Sequence, residues 1–235
     1  MKRISITRTI TAPAFALLAA GCGASMSAGT AAAGTAPTTL GTPAESRVSL
    51  IEEAPAPEGF LTVAVKYVPF LKDGQKPVMS DAEYGDLTRG MNKVMAQCKI
   101  RFRMEAVDPI DPAKDGLAYN TTSMEELDKI RAPFQDPARL VVINTGSWDH
   151  DNMGTANAWT AMPGSTPYGA VIEAPVASFA NIVAHELGHY MGLDHVDDTS
   201  NLMNPIIYDD SSHLDPGQCS TMQETARGLW AQSLR

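Results

Sequence analysis

Histidine is scarce in this 235-residue chain, five in all, and cysteine scarcer still, with three. Basic charge is also short: 18 Lys and Arg stand against 27 Asp and Glu, a net charge of −9. The deficit is uneven, because residues 1–45 hold three basic residues and one acid, and the rest is left at −11. A nucleic-acid binder needs clustered Lys and Arg for the phosphate backbone, so nucleic acid is not an expected partner. No internal repeat is present, which excludes a solenoid or array. The apolar run Ala12–Ala20, broken only by Pro13, is shorter than the roughly 20 residues a spanning helix requires. What remains is an ordinary apolar fraction of 44%, enough for one domain core plus accessory segments.

Those scarce residues are not scattered. Lys2, Arg3 and Arg8 precede the short apolar run, and small residues follow it, as in a secretory signal over residues 1–21. The run ends Leu18-Ala19-Ala20-Gly21-Cys22, which resembles the lipobox of bacterial lipoproteins, with Ala19 where Leu is usual. That resemblance implies lipidation at Cys22 and an exported, envelope-anchored protein (periplasmic or on the cell surface). Plain cleavage near Ala24, giving a soluble secreted protein, is the alternative. Residues 22–57 are dominated by Gly, Ala, Ser, Thr and Pro and have too little apolar bulk to offset ordering entropy, so a flexible tether is expected there. The folded domain is expected over 58–235.

Within it, Phe60–Phe70 reads as a strand, and Ser80 with Glu83 marks a capped helix to about Gln97. Lys99–Val107 and Arg139–Asn144 read as strands, with a short helix at Glu125–Ile130 between them. Residues 145–170 are loop-like around one apolar piece, Ala156–Met162, and Ala170–Glu173 is a short strand. A helix is expected over Ser178–Met191 and a last one over Asp215–Ser233. This order indicates a mixed α+β fold.

Three of the five histidines fall in Ala184–His195, AHELGHYMGLDH. His185 and His189 are four apart on one helical face, so both can offer a ring nitrogen to one zinc at about 2.0–2.1 Å. Glu186 projects beside such an ion, where a base for a water belongs. His195 poses the difficulty. Ten further residues of helix would carry it about 15 Å along the axis from His185. The helix must therefore end, and Gly192 is placed to adopt positive φ and turn the chain back. A helix end that is merely rich in histidine is the competing reading; five agreeing positions weigh against it.

HELGHYMGLDH resembles the signature of the metzincin zinc peptidases, and Asn201-Leu202-Met203-Asn204-Pro205 resembles their Met-turn, closest to the matrixin-like branch. The resemblance implies a twisted, mostly parallel sheet with helices, an active-site helix, and a small C-terminal subdomain ending in a helix. It implies one catalytic zinc on His185, His189 and His195, Glu186 as general base, and Met203 as an apolar floor. It also implies protein or peptide substrates and a pocket walled by Pro205, Ile206, Ile207 and Tyr208. Pro205 stands where some metzincins carry a zinc-binding tyrosine. No cysteine pro-segment like that of animal matrixins is read, and the only spare histidine in the right region for their second zinc is His150. Asp149-His150-Asp151 reads as an exposed acidic loop; calcium there is chemically open but has no clear motif. Tyr190 reads as core. With Cys22 lipidated, Cys98 and Cys219 form an even pair suited to a disulfide, two buried free thiols being the alternative. A non-catalytic binding lipoprotein that keeps zinc for structure is the second function in view.

Overall fold

The computed structural model describes residues 4–5 and 55–235. Apart from Ile4–Ser5, which pairs antiparallel with Ile206–Ile207, the signal at 1–21, the lipidation site Cys22 and nearly all of the tether lie outside the described residues.

Five strands form one sheet: β1 (Leu61–Pro69), β2 (Ile100–Val107), β3 (Leu140–Thr145), β4 (Ala158–Thr160) and β5 (Ala170–Glu173). Their spatial order is β2-β1-β3-β5-β4. All neighbours run parallel except β4, which lies antiparallel to β5 along the sheet edge. The fold is thus mixed α+β on a mostly parallel sheet. Buried parallel strands need cover on both faces, and the apolar residues of β3 divide accordingly. Leu140 and Val142 join a core with Tyr67, Met91, Ala184 and Leu187. Val141 and Ile143 join a second core with Leu127, Ile130 and Trp148.

The first face is covered by α1 (Asp81–Met95) and α4 (Ala180–Tyr190), the second by α2 (Glu126–Arg131) and the segment around Trp148. Helix α1 starts at a capping box: the Ser80 side chain accepts from the Glu83 amide while the Glu83 side chain accepts from the Ser80 amide. Tyr84 of α1 donates to Asn144 Oδ1 at 2.7 Å and stacks on Tyr67, tying helix to sheet. The loop-like stretch 145–170 contains one helical turn not expected from its composition, α3 (His150–Met153), capped by Asp149 accepting from the Asp151 amide. It also supplies β4 from within the apolar piece. Helix α4 begins at Ala180 rather than Ser178, after a 3₁₀ turn at Ala174–Val176 that contains Pro175. The last helix, α5 (Pro216–Gly228), stops earlier than its apolar spacing suggests. Past Gly228, Trp230 turns inward and donates its indole N–H to the Tyr190 carbonyl at 2.8 Å, and a 3₁₀ turn at Ala231–Ser233 follows. A Cys98–Cys219 disulfide joins the end of the α1 region to α5, with Cα atoms 4.7 Å apart. Among the described residues no helix is long and apolar enough to cross a membrane.

Candidate metal centre

Helix α4 is buried from Ile182 to Tyr190, all but its first two residues, because it lies between the sheet and the C-terminal segment. Its end explains the site. Gly192 has φ +90, the Gly192 amide donates to the His189 carbonyl at 2.9 Å, and the Leu193 amide donates to the Gly188 carbonyl at 3.0 Å. This reciprocal pair is a Schellman stop, which satisfies the last helical carbonyls and reverses the chain. His195 is carried back beside the helix. Its Nε2 lies 3.0 Å from His189 Nε2 and 3.2 Å from His185 Nε2. Tetrahedral ligation at about 2.0–2.1 Å requires ligand nitrogens about 3.3 Å apart, so the three imidazoles match a zinc ion.

The outer nitrogens support the same reading. His185 Nδ1 meets the Leu202 carbonyl at 2.7 Å, and His189 Nδ1 meets the Leu193 carbonyl at 2.6 Å. A carbonyl only accepts, so each Nδ1 carries the proton and each Nε2 keeps a lone pair for a metal. Burial and the neighbouring imidazoles disfavour protonation: His185 is held well below its ordinary value, His189 is pushed down to about 4, and His195 is lowered mainly by burial. All three are neutral near pH 7. No other group of three His, Cys, Asp or Glu side chains converges among the described residues. His150 is half-exposed, with Nδ1 3.0 Å from the Gly154 carbonyl and Nε2 3.4 Å from Glu173 Oε1.

Met203 is fully buried against α4 at Gly188. A Cβ on Gly188, between the two helical histidines, would stand 2.6 Å from Met203 Sδ, so only glycine admits the contact. Residues 201–204 form a turn closed by the Asn204 amide on the Asn201 carbonyl at 3.1 Å. Asn201 Oδ1 also accepts from the Met203 amide at 2.9 Å. Asn201 and Gln218 exchange amide hydrogen bonds of 2.9 and 3.2 Å, which bolt this turn to the first turn of α5.

Glu186 is 1% exposed. Its Oε2 accepts from the Thr160 hydroxyl at 2.5 Å, while Oε1 is buried without a partner. Burial raises its carboxyl to about 7, against the opposing pull of the Thr160 bond and the Arg131 charge. A buried carboxylate with one bound oxygen and one free is the form a proton acceptor takes. Tyr190 is fully buried; its hydroxyl accepts from the Val141 amide at 3.4 Å and its ring meets Trp230 and Tyr168 edge-on. Its surroundings are those of packing. Ile207 and Tyr208 line a cavity of about 220 Å³ against Phe179, which precedes α4, and Ala180, Asn181 and Ile182 of its first turn; Pro205 and Ile206 do not line it.

Thr160 and Arg131 are neighbours of Glu186 that no motif announces, and the pairing of Asn201 with Gln218 is likewise unmarked although Asn201 lies in the quoted turn motif. Thr160 and Arg131 reach Glu186 only through the sheet, so nothing in their local sequence marks them. Gln218 does have a signal, since Asp215 and Gln218 are spaced as a capping box, and the box is present.

The matrixin family model matches residues 117–224. Among solved structures, metalloproteinase-II from Bacteroides fragilis is similar at 16% identity and a TM-score of 0.48, over 70% of this chain and 53% of that one. This chain therefore spans about half the length of that structure.

Proposed function

We propose that the chain is a zinc-dependent endopeptidase of the metzincin type, in its matrixin-like branch, hydrolysing peptide bonds in proteins. The observation that carries this reading is the convergence of three neutral Nε2 atoms next to a buried carboxylate whose Oε1 has no partner. The matrixin match over 117–224 supports it, since that span contains all four residues. When bound, zinc supplies Lewis acidity, making a water acidic enough to deprotonate near neutral pH and polarising the peptide carbonyl. Everything else falls to the chain. His185, His189 and His195 hold the ion through Nε2, and the Leu202 and Leu193 carbonyls keep two of those rings in the ligating tautomer. Glu186 Oε1 takes the proton of the attacking water and returns it to the departing amine. Strand β4 pairs with β5 on one side only, leaving an open edge that an extended peptide can join. The cavity beside Ile182 and Ile207 receives an apolar substrate side chain.

We place the enzyme at the cell envelope, held by a lipid on Cys22 through the tether. Metabolic labelling with palmitate that survives in Cys22→Ser would exclude this anchor.

The test of activity is proteolysis of a mixed peptide library by wild type and Glu186→Ala, with zinc measured in both. The enzyme reading predicts one zinc in each protein and cleavage by wild type alone. Equal cleavage by both, or zinc in both without cleavage by either, overturns it; the second result is that of a non-catalytic binding lipoprotein with structural zinc.

A further inference from the structure

Glu186 acts as a base only if its carboxylate is held, because a buried side chain with three rotatable bonds otherwise has several ways to seek a donor. Among the described residues a single hydrogen bond to that carboxylate is made, from Thr160 Oγ1 to Oε2 at 2.5 Å. Thr160 is itself buried and ends β4, where its backbone pairs with Ala170 of β5. The hydroxyl is therefore mounted on the sheet, while the carboxylate is mounted on α4. A rigid donor on one element fixing a base on another is how proton acceptors are kept in register. The consequence is an asymmetric carboxylate: Oε2 occupied, Oε1 buried and free.

We infer that Thr160 is a positioning residue for Glu186, its hydroxyl pinning Oε2 so that Oε1 is the oxygen that exchanges the proton. The inference rests on the reading of Glu186 as general base, and its test separates the two. Thr160→Val keeps the shape of the side chain and removes the donor; Thr160→Ser keeps the donor and removes a methyl. Thr160→Val lowers kcat by about 10–100-fold, the scale of a base displaced by a fraction of an ångström to an ångström. KM stays within twofold and zinc content stays at one per chain. Thr160→Ser recovers kcat to within threefold of wild type.

A second readout needs no catalysis. In thermal unfolding of the zinc-loaded protein, Thr160→Val lowers the midpoint in wild type and lowers it by less than half as much in a Glu186→Ala background, where the accepting oxygen is gone. Equal shifts in the two backgrounds overturn the inference, whether or not any peptide is cleaved. So does Thr160→Val with kcat within twofold of wild type. A rise in KM alone also overturns it, since Thr160 would then serve the substrate edge of β4 rather than the base. The base reading fails by a different result: Glu186→Ala cleaving as wild type does. A coupling between positions 160 and 186 that survives that result is a structural bond, and the positioning role falls with the base.

Discussion

Gly188 and Gly192 do different work four residues apart. At Gly188 the requirement is space, because a methyl group would stand 2.6 Å from Met203 Sδ. Gly188→Ala must displace Met203 or bend α4, and overpacking of this kind costs about 1–3 kcal/mol. We expect a lower unfolding midpoint together with weaker zinc retention during dialysis against a chelator. At Gly192 the requirement is backbone conformation, φ +90, in the Schellman stop that returns His195. Gly192→Ala places a side chain in the left-handed region at about 1–2 kcal/mol and crowds Thr225 Oγ1 at 3.0 Å. It should weaken zinc binding through His195 alone. A Gly192→Ala protein with wild-type zinc affinity and stability would show that the turn is not what holds the third ligand.

Between elements, the decisive contacts are polar and buried. The turn beneath the histidines is fastened to α5 by the reciprocal Asn201–Gln218 amides, and Leu202 in that same turn carries the carbonyl that orients His185. Truncating either amide strands its buried partner, at about 1–3 kcal/mol. Asn201→Ala and Gln218→Ala should each lower stability by that amount, and the double variant should cost clearly less than their sum, as equilibrium unfolding in denaturant would show. Additive losses would mean that the two side chains act separately. The same scale separates what is legible in the sequence from what is not. Strands β1, β2 and β3 and helix α1 declare themselves because their own residues alternate, run continuously apolar or are capped within one stretch. Helix α3 does not, since its sequence is rich in turn residues and only the Trp148 core gives it shape, while the apolar piece 156–162 marks an edge strand without fixing the bounds of β4.

For the whole molecule, two of the ties between distant parts of the chain make separate predictions. The Cys98–Cys219 disulfide closes a separation of 121 residues. Closing a loop of that size stabilises a fold by about 2–5 kcal/mol, chiefly through the unfolded state. Reduction should lower the unfolding midpoint by several degrees while zinc content and peptide cleavage at room temperature persist, because the bridge touches none of the site residues. The second tie is a fork in which Arg235 Nε and Nη2 donate to both oxygens of Glu105, at 2.7 and 2.8 Å. With Arg103 also donating, Glu105 is pulled down to about 2. Its carboxylate is held below the unfolded value near 4.5, so the pair stabilises the fold above that pH. The contribution falls away as pH drops from about 4.5 through about 2. Arg235→Ala should therefore lose about 1 kcal/mol at pH 7 and much less near pH 2, in urea unfolding at the two pH values.

The sequence alone determined that three imidazoles and a glutamate belong together. Their spacing on one helix, and a glycine where that helix must end, are local facts that need no fold to be read. It also determined the sheet-and-helix order, because apolar periodicity and caps act over a few residues. Only the tertiary structure decided which carbonyl sets the His185 tautomer, which hydroxyl holds Glu186, and what fastens the turn at Met203. Those contacts join Leu202, Thr160 and Gln218 to residues 17 or more positions away. No local preference encodes such pairings; they arise when α4 is buried between the sheet and the C-terminal segment, and most polar groups carried inside find a partner there.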